Sequence, residues 1–577
     1  MNFEDLPNEL ILDLFDYFDL LNLLLTFYNL NNRLNTLLGQ SRKNFHRDFR
    51  NLSKSTYEGI YQEYHPSIDD QVISIHLADD DATPNLPEIF FSNHFLPAYF
   101  PHLQSLCLSS TVSSKILHQI VIQCRELPCL AELNLIQCRV NDSSFDIINP
   151  IWELPNLITC TIDEDMVEGG CFTRLCQTSS SMKSLSIDNV NCDFSCLSEI
   201  LQRTPSLEHL SIKIVTTDPR EVFPLSLPLL TQLTLCFRGS LGSLKTLFAQ
   251  MPNLHSLTYS RSTLALRGNE WEEIFTRYLP NIRQFRLRIN CTFVPSDDPE
   301  EKIDQLLQTF QTDFWLKKHQ WFVQCDWNQL NPLSAVKLYT LPYTFPHFHL
   351  TNGLCSKSTC PNSSDFSSYN TVRNLLCHKT ITYPSSIQFP SLTHLEVILP
   401  FNENLFANIP SWTHLTTLDV TLLPDPIVYE QLQAVLDRTT NLYLLRFSQL
   451  SELENPLFDL RNPSIRRLDF FTKESMIYST YFTREQCIAL ADSSLGQQCE
   501  ILVIDIEHRT HILELINRMN KLRSLTFQCK DDKWKYKSST TATTTDELLQ
   551  WFHEHLPRTY SISRHVERTS IFQLWIR

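Results

Sequence analysis

Glycine is nearly missing from this chain, with 9 in 577 residues. Phosphate-cradling loops need it, because only a residue without Cβ lets the backbone come that close to a ligand. No G-x-G-x-x-G, Walker-type, G-x-S-x-G or H-E-x-x-H motif occurs. No catalytic residue, cofactor or metal is therefore expected, and the chain reads as a non-enzyme. Positive charge is short as well. The 48 Lys and Arg face 64 Asp and Glu, leaving a formal charge of −16. Nucleic-acid binders need a basic stripe, so no nucleic-acid partner is expected. Long apolar runs are absent near the start, where Leu23-Leu24-Leu25 is the longest, against about 20 residues needed to span a bilayer. The opening MNFEDLPNEL is acidic where a signal peptide is basic. The expectation is no membrane partner, a cytoplasmic or nuclear location, and reduced thiols for the 18 cysteines.

What is present is a repeat. The pattern P-x-L-x-x-L-x-L, with apolar substitutes, starts at 101, 128, 155, 180, 205, 228, 252 and 280. It resumes at 390, 413, 440, 463, 499 and 520, with a weaker copy, NTVRNLLC, at 370. The L-x-L end alternates, so it reads as a short strand with one buried face. Helical patterns lie between copies, such as SSKILHQIVIQC at 113–124 and IVYEQLQAVLD at 427–437. A strand-plus-helix unit of about 25 residues cannot bury its own apolar face, so neighbours must stack.

These positions resemble the leucine-rich repeat family over most of residues 101–530. The resemblance implies an α/β fold: an irregular right-handed solenoid with parallel strands concave and helices convex. Residues 101–290 and 370–530 are its two halves, and 46–100 a linker and N-terminal cap. Residues 291–369 form an irregular insertion, with one helix pattern over PEEKIDQLLQTFQTDFWLKK and many aromatics. Those aromatics read as packing against the repeats, with a protruding docking surface as the alternative. Residues 531–577 read as linker and C-terminal cap, because the last repeat needs its apolar face covered.

Residues 1–45 are different. Pro7 suits a first helical turn, and Leu10, Ile11, Leu14, Phe15 and Phe18 follow at helical spacing. Two more short helices fit through Leu20, Leu24 and Phe27, and through Leu34, Leu37 and Leu38. So small a unit cannot enclose all these leucines, and exposed apolar surface marks a protein-binding site. L-P-x-E-L at 6–10, with Leu14, Phe18, Leu20, Leu24 and Leu30-Asn31-Asn32-Arg33, resembles an F-box, here a three-helix unit. The resemblance implies docking to the adaptor subunit of an SCF-type cullin–RING ubiquitin ligase, and through it a cullin. The adaptor contact would be Leu6, Pro7, Leu10, Leu14, Phe18, Leu20, Leu24, Leu30 and Leu34. The sequence departs from the pattern at Leu30, where Val is common, and Leu34, where Trp is common.

An F-box joined to leucine-rich repeats implies a substrate-recognition subunit whose concave face holds the protein to be modified. The alternative is a repeat scaffold whose F-box-like segment no longer binds the adaptor. Within L-x-x-L-x-L the residue between the last two apolar positions faces the concave side. In the first half this row is small and uncharged from Cys107 to Thr258, ending at Arg286. In the second it reads Glu396, Asp419, Arg446, Asp469 and Asp505, with Arg467 beside it on the same face. These six are the candidate substrate contacts, either as a solvated ladder paired within itself or as a patch for a basic segment. Cys355, Cys360, Cys377 and His378 have zinc-ligand types, but the spacing matches no standard knuckle.

Overall fold

The computed structural model describes residues 6–15, 17–18, 23, 26–28, 30–40, 45–50, 52–63, 72–93, 97–110, 113–139, 145–163, 169–218, 221–262, 264–291, 299–328, 336–351, 353–361, 369–377, 387–402, 404–449, 455–470, 481–532, 546–565 and 568–576. They fall into two compact units, Met1–Leu254 and His255–Ile576.

In the first unit eight strands lie side by side in chain order: β1 (Phe45–Asp48), β2 (Val72–Ala78), β3 (Ser105–Ser109), β4 (Glu132–Ile136), β5 (Thr159–Asp163), β6 (Ser184–Cys192), β7 (His209–Val215) and β8 (Gln232–Arg238). Every neighbouring pair is parallel. The register brings one buried column together: Ile75, Leu106, Leu133, Cys160, Leu185, Leu210 and Leu233. The first L of each L-x-L thus packs on the first L of the next. Residues 46–100, expected as linker and cap, contribute β1 and β2. VISIHLA alternates like the other strands but lacks the Pro-x-Leu lead-in that marks the later copies.

A single hydrogen-bond step sets that register. The two N–H groups that open a strand converge on one carbonyl in the preceding repeat. Ala131 and Glu132 donate to Gln104 O, Ile158 and Thr159 to Ala131 O, and Lys183 and Ser184 to Ile158 O. Glu208 and His209 donate to Lys183 O, and Thr231 and Gln232 to Glu208 O. A side-chain stitch is added where the lead-in reads Pro-Asn-Leu. Asn156 Nδ2 donates to Pro128 O at 2.7 Å and Asn253 Nδ2 to Pro228 O at 2.9 Å. Helices fill the returns. Ser114–Cys124 buries Leu117, Ile120 and Val121, and Phe194–Gln202 buries Leu197 and Ile200. Ser113 and Asp193 cap them by accepting from Ile116 N and Cys196 N, which satisfies amides that have no partner inside the helix.

The second unit begins with β9 (Ser256–Ser260) and β10 (Gln284–Cys291), again parallel. The insertion then reverses direction. The expected single helix is two pieces, Pro299–Gln308 and a wider turn at Phe314–His319 closed by Gln320 at φ 54°. The break has a cause in helix Gly268–Arg277. Thr309 Oγ1 accepts from Gly268 N (2.8 Å), Thr312 Oγ1 donates to Glu272 (2.7 Å), and Trp315 Nε1 donates to Gly268 O (3.3 Å). A Cβ on Gly268 would sit 2.2 Å from Thr309 O, so only glycine permits the approach. Phe310 and Trp315 are fully buried, and Phe314 and Trp327 nearly so. These four aromatics of the insertion are packing, while Trp321 and Phe322 stay partly exposed.

β11 (Phe322–Asn328) runs antiparallel between β12 (Val336–Leu341) and β14 (Leu354–Ser358), and β12 is antiparallel to β10. The parallel order then returns through β13 (His347–Leu350), β15 (Asn374–Cys377), β16 (His394–Leu399), β17 (Thr417–Leu422), β18 (Leu444–Gln449), β19 (Arg467–Asp469), β20 (Ile501–Ile506) and β21 (Ser524–Cys529). Its buried column is Phe348, Leu375, Leu395, Leu418, Leu445, Leu468, Leu502 and Leu525. The same paired step recurs, for instance Thr393 and His394 to Arg373 O and Glu500 and Ile501 to Arg466 O. The end is closed by a hairpin of β22 (Ser561–Arg564) and β23 (Ile571–Trp575), with β23 antiparallel to β21 and every residue of β23 buried. Helix Glu547–His555, N-capped by Asp546, packs Leu548 and Phe552 inward. The Ser/Thr-rich linker before Asp546 lies outside the described residues.

Asp326 on β11 ties the antiparallel part to the repeats that follow. Its carboxylate is 1% exposed and accepts from Tyr339 (2.7 Å), Ser356 (2.6 Å) and Gln324 (2.9 Å), and Tyr339 in turn meets Tyr369 (3.0 Å). Burial pushes the carboxyl up from its ordinary value, against those three donors. Tyr339→Phe keeps the ring and removes one donor. It should lower stability by about 1–3 kcal/mol, read as a shift in the urea midpoint, whereas Tyr17→Phe, 87% exposed, should leave the midpoint within error.

Candidate functional site

At the N-terminus two short helices are described, Asn8–Phe15 and Asn32–Gln40. Asn31 starts the second by accepting from Leu34 N at 2.8 Å. Arg33 holds the two together: Nη2 donates to Leu6 O (2.6 Å), and Nε to Asn8 Oδ1 (2.9 Å). The small core is Ile11, Phe15, Leu23, Phe27, Leu34, Leu37 and Leu38. Phe27 meets Phe15 at 5.2 Å and Phe18 edge-on at 5.4 Å.

The helical spacing thus divides the expected contact residues. Leu10 is 51% exposed and Leu30 63%, and Pro7 is exposed beside Asn8. Leu6, Leu14 and Phe18 are half-buried. Leu34, named as a contact, is 3% exposed and belongs to the core. Asn31 caps the helix there, and of the first-turn side chains Leu34 alone is buried, with Asn32 exposed and Arg33 partly so. Leu20 and Leu24 lie outside the described residues. Tyr17, 87% exposed, adds apolar surface that the motif does not mention.

The second candidate surface is the polar row on the strands. In the first unit the register sets His76, Cys107, Asn134, Thr161, Ser186, Ser211 and Thr234 side by side, all partly exposed. In the second, Thr258 lies against the exposed Arg286. Further on the row is Glu396, Asp419, Arg446, Asp469, Val503 and Thr526. Asp505 is not in it. Its partner is Gln528, two residues further along. In ILVIDI both Leu-Val-Ile and Ile-Asp-Ile read as apolar-x-apolar, and the bonds from Glu500 and Ile501 to Arg466 O select the first.

The acids are also deeper than a recognition patch requires. Asp419 is 3% exposed, Asp469 5% and Asp505 5%. Arg446 spans the first two, with Nη1 at 3.1 Å from Asp419 and Nε at 2.8 Å from Asp469. Arg467 reaches Asp469 at 3.9 Å, and His394 Nε2 lies 3.5 Å from Asp419. Burial alone would raise Asp419, but the His394 imidazole and the Arg446 guanidinium hold it below the ordinary carboxylate value. The row is an internally paired ladder, and only Glu396 presents a carboxylate to solvent.

His394 escaped the sequence reading because it stands one position before the L-x-L, outside the outward row. Yet His394 and Glu396 share a face of β16, and Asp419 lies opposite Glu396 on β17. Among the described residues these three form the one group of His, Cys, Asp or Glu with ligand atoms all within 4.8 Å of one another. Of the cysteine set, Cys377 is fully buried in the column between Leu350 and Val397, and His378 lies outside the described residues.

No protein-family profile matches the chain, and no curated protein matches it. One solved structure that aligns is described as the crystal structure of the Rad7 and Elc1 complex in yeast. It is 13% identical, covers 78% of this chain and 91% of that one, and gives a TM-score of 0.30. At that level the architecture stands on the strand register alone. Among the described residues no helix is long and apolar enough to cross a membrane.

Replacing Arg446 by Leu leaves two buried carboxylates without their shared cation. The unfolding free energy should fall by about 3–5 kcal/mol, while Glu396→Gln, on an exposed and unpaired group, should change it by less than about 0.5 kcal/mol. The pH profile gives a second reading. The folded pKa of Asp419 lies below its unfolded value of 3.8, so its contribution is complete above that value and is lost as pH falls through the folded one. Acid unfolding of wild type should be steeper below pH 3.8 than that of Arg446→Leu.

Proposed function

We propose that this chain is a non-catalytic substrate-recognition subunit of an SCF-type cullin–RING ubiquitin ligase. Residues 6–40 dock onto the adaptor subunit, and through it a cullin, while the strand arrays bind the protein to be modified. The observation that carries the reading is the exposure of Leu10 and Leu30 on a helical segment that bears L-P-x-E-L and holds its own small core. Exposed apolar side chains that cluster into a patch mark a protein-binding site, and Tyr17, 87% exposed, belongs to the same segment. The F-box resemblance supplies the identity of that partner.

The parallel arrays support the second half of the reading. They present a side-chain row from rigid backbone, small and uncharged in the first unit, with Arg286 and Glu396 offered in the second. Asp419, Asp469 and Asp505 serve as the buried support of that face, and Arg446 and Arg467 as its paired cations, partly open to a client.

The experiment is co-purification of the full chain with the SCF adaptor, comparing wild type with Leu10→Asp, Leu30→Asp. Both side chains are exposed, so the variant should keep its circular dichroism and thermal midpoint. Adaptor affinity should drop on the order of tenfold or more, the scale of losing central contacts in an interface. A well-folded wild type that does not bind the adaptor would leave the scaffold reading in its place.

A further inference from the structure

We propose that His394, Glu396 and Asp419 form a binding site for a divalent transition-metal ion. The site is independent of the ligase reading and uses only the two strands β16 and β17.

Strand geometry assembles it. His394 and Glu396 are two residues apart, so their side chains leave the same face of β16. Asp419 is the register partner of Glu396. The His394 Nε2 to Asp419 Oδ2 separation is 3.5 Å. That is a long contact for a hydrogen bond from nitrogen to oxygen. It suits two ligand atoms sharing one tetrahedral ion: with metal–ligand distances of about 2.0–2.2 Å, such atoms lie about 3.3–3.6 Å apart. The remaining ligand-atom separations are within 4.8 Å, and Glu396, exposed and with no ion pair, closes them by rotation about its own side-chain bonds.

The surroundings fit a cation as well. Arg446 Nη1 holds both carboxylate oxygens of Asp419, at 3.1 Å from Oδ2 and 3.4 Å from Oδ1. Ligating carboxylates in metal sites are held by outer partners in this way. Three carboxylates (Glu396, Asp419, Asp469) stand against two guanidiniums (Arg446, Arg467), so the local sum with neutral His394 is −1. One imidazole with two carboxylates suits Zn²⁺, Co²⁺ or Mn²⁺ rather than Ca²⁺ or Mg²⁺, which favour oxygen ligands throughout. Three protein ligands leave a coordination position open toward the solvent side of the strand row.

The test is titration of the full chain with Co²⁺ under a non-thiol reductant, followed by visible d–d absorption and calorimetry. Wild type is compared with the double variant His394→Ala, Glu396→Gln. Both side chains are at least partly exposed, so circular dichroism should be unchanged. The 18 cysteines are common to both proteins, and any thiolate binding cancels in the difference. One equivalent bound by wild type, weakened tenfold or more in the variant, with a metal-dependent rise in thermal midpoint seen only in wild type, is the expected result. Superimposable isotherms for the two proteins, or no Co²⁺ taken up by wild type, would overturn the proposal.

Discussion

Everything in these two units depends on one backbone detail: two successive N–H groups aimed at a single carbonyl in the repeat before. It is a local geometry, yet it decides which residue lies against which across whole arrays. A slip by one residue would turn every leucine of a strand to the outer face. Convergent donors at the strand entries that carry them make that slip costly, since two amides would lose their acceptor together. The leucine columns then follow as a result of register rather than its cause, and helices with quite different sequences can fill the returns.

The charged ladder on the second array shows how such a frame constrains chemistry. Once Asp419, Arg446 and Asp469 are fixed in consecutive strands at about 4.8 Å spacing, their charges must be compensated in place. Ion pairs buried in this manner add little net stability, because desolvation offsets the attraction. What they supply is intolerance of alternatives: a register in which an acid met an acid would be strongly disfavoured. The ladder therefore enforces the order of β17, β18 and β19 in a region where the hydrophobic pattern of β20 is ambiguous.

The repeat, its spacing, the strand positions of the regular copies and the need for a C-terminal cap were legible in the sequence, because each rests on alternation, on lead-in residues that recur or on an apolar end that must be covered. Three things were not. β1 and β2 lack the Pro-x-Leu lead-in, so nothing announced them. The register of β20 admitted two phases in ILVIDI, and only hydrogen bonds from the neighbouring strand distinguish them, which is why Asp505 was placed among residues it does not join. The depth of the acids was hidden as well: a polar residue between two leucines reads as outward, whereas Asp419 and Asp469 fold down under the long side chain of Arg446. At the N-terminus the motif named the contact residues as a set. The 3.6-residue turn then separated Leu10 and Leu30, which are open, from Leu34, which the small core consumes.

The hairpin that ends the second array has an evolutionary corollary. Because β23 runs against β21, the last parallel strand offers no edge on which another copy of the repeat could be laid. Duplication of a repeat after β21 would have to displace β23 from that edge, whereas duplication between two parallel strands would not.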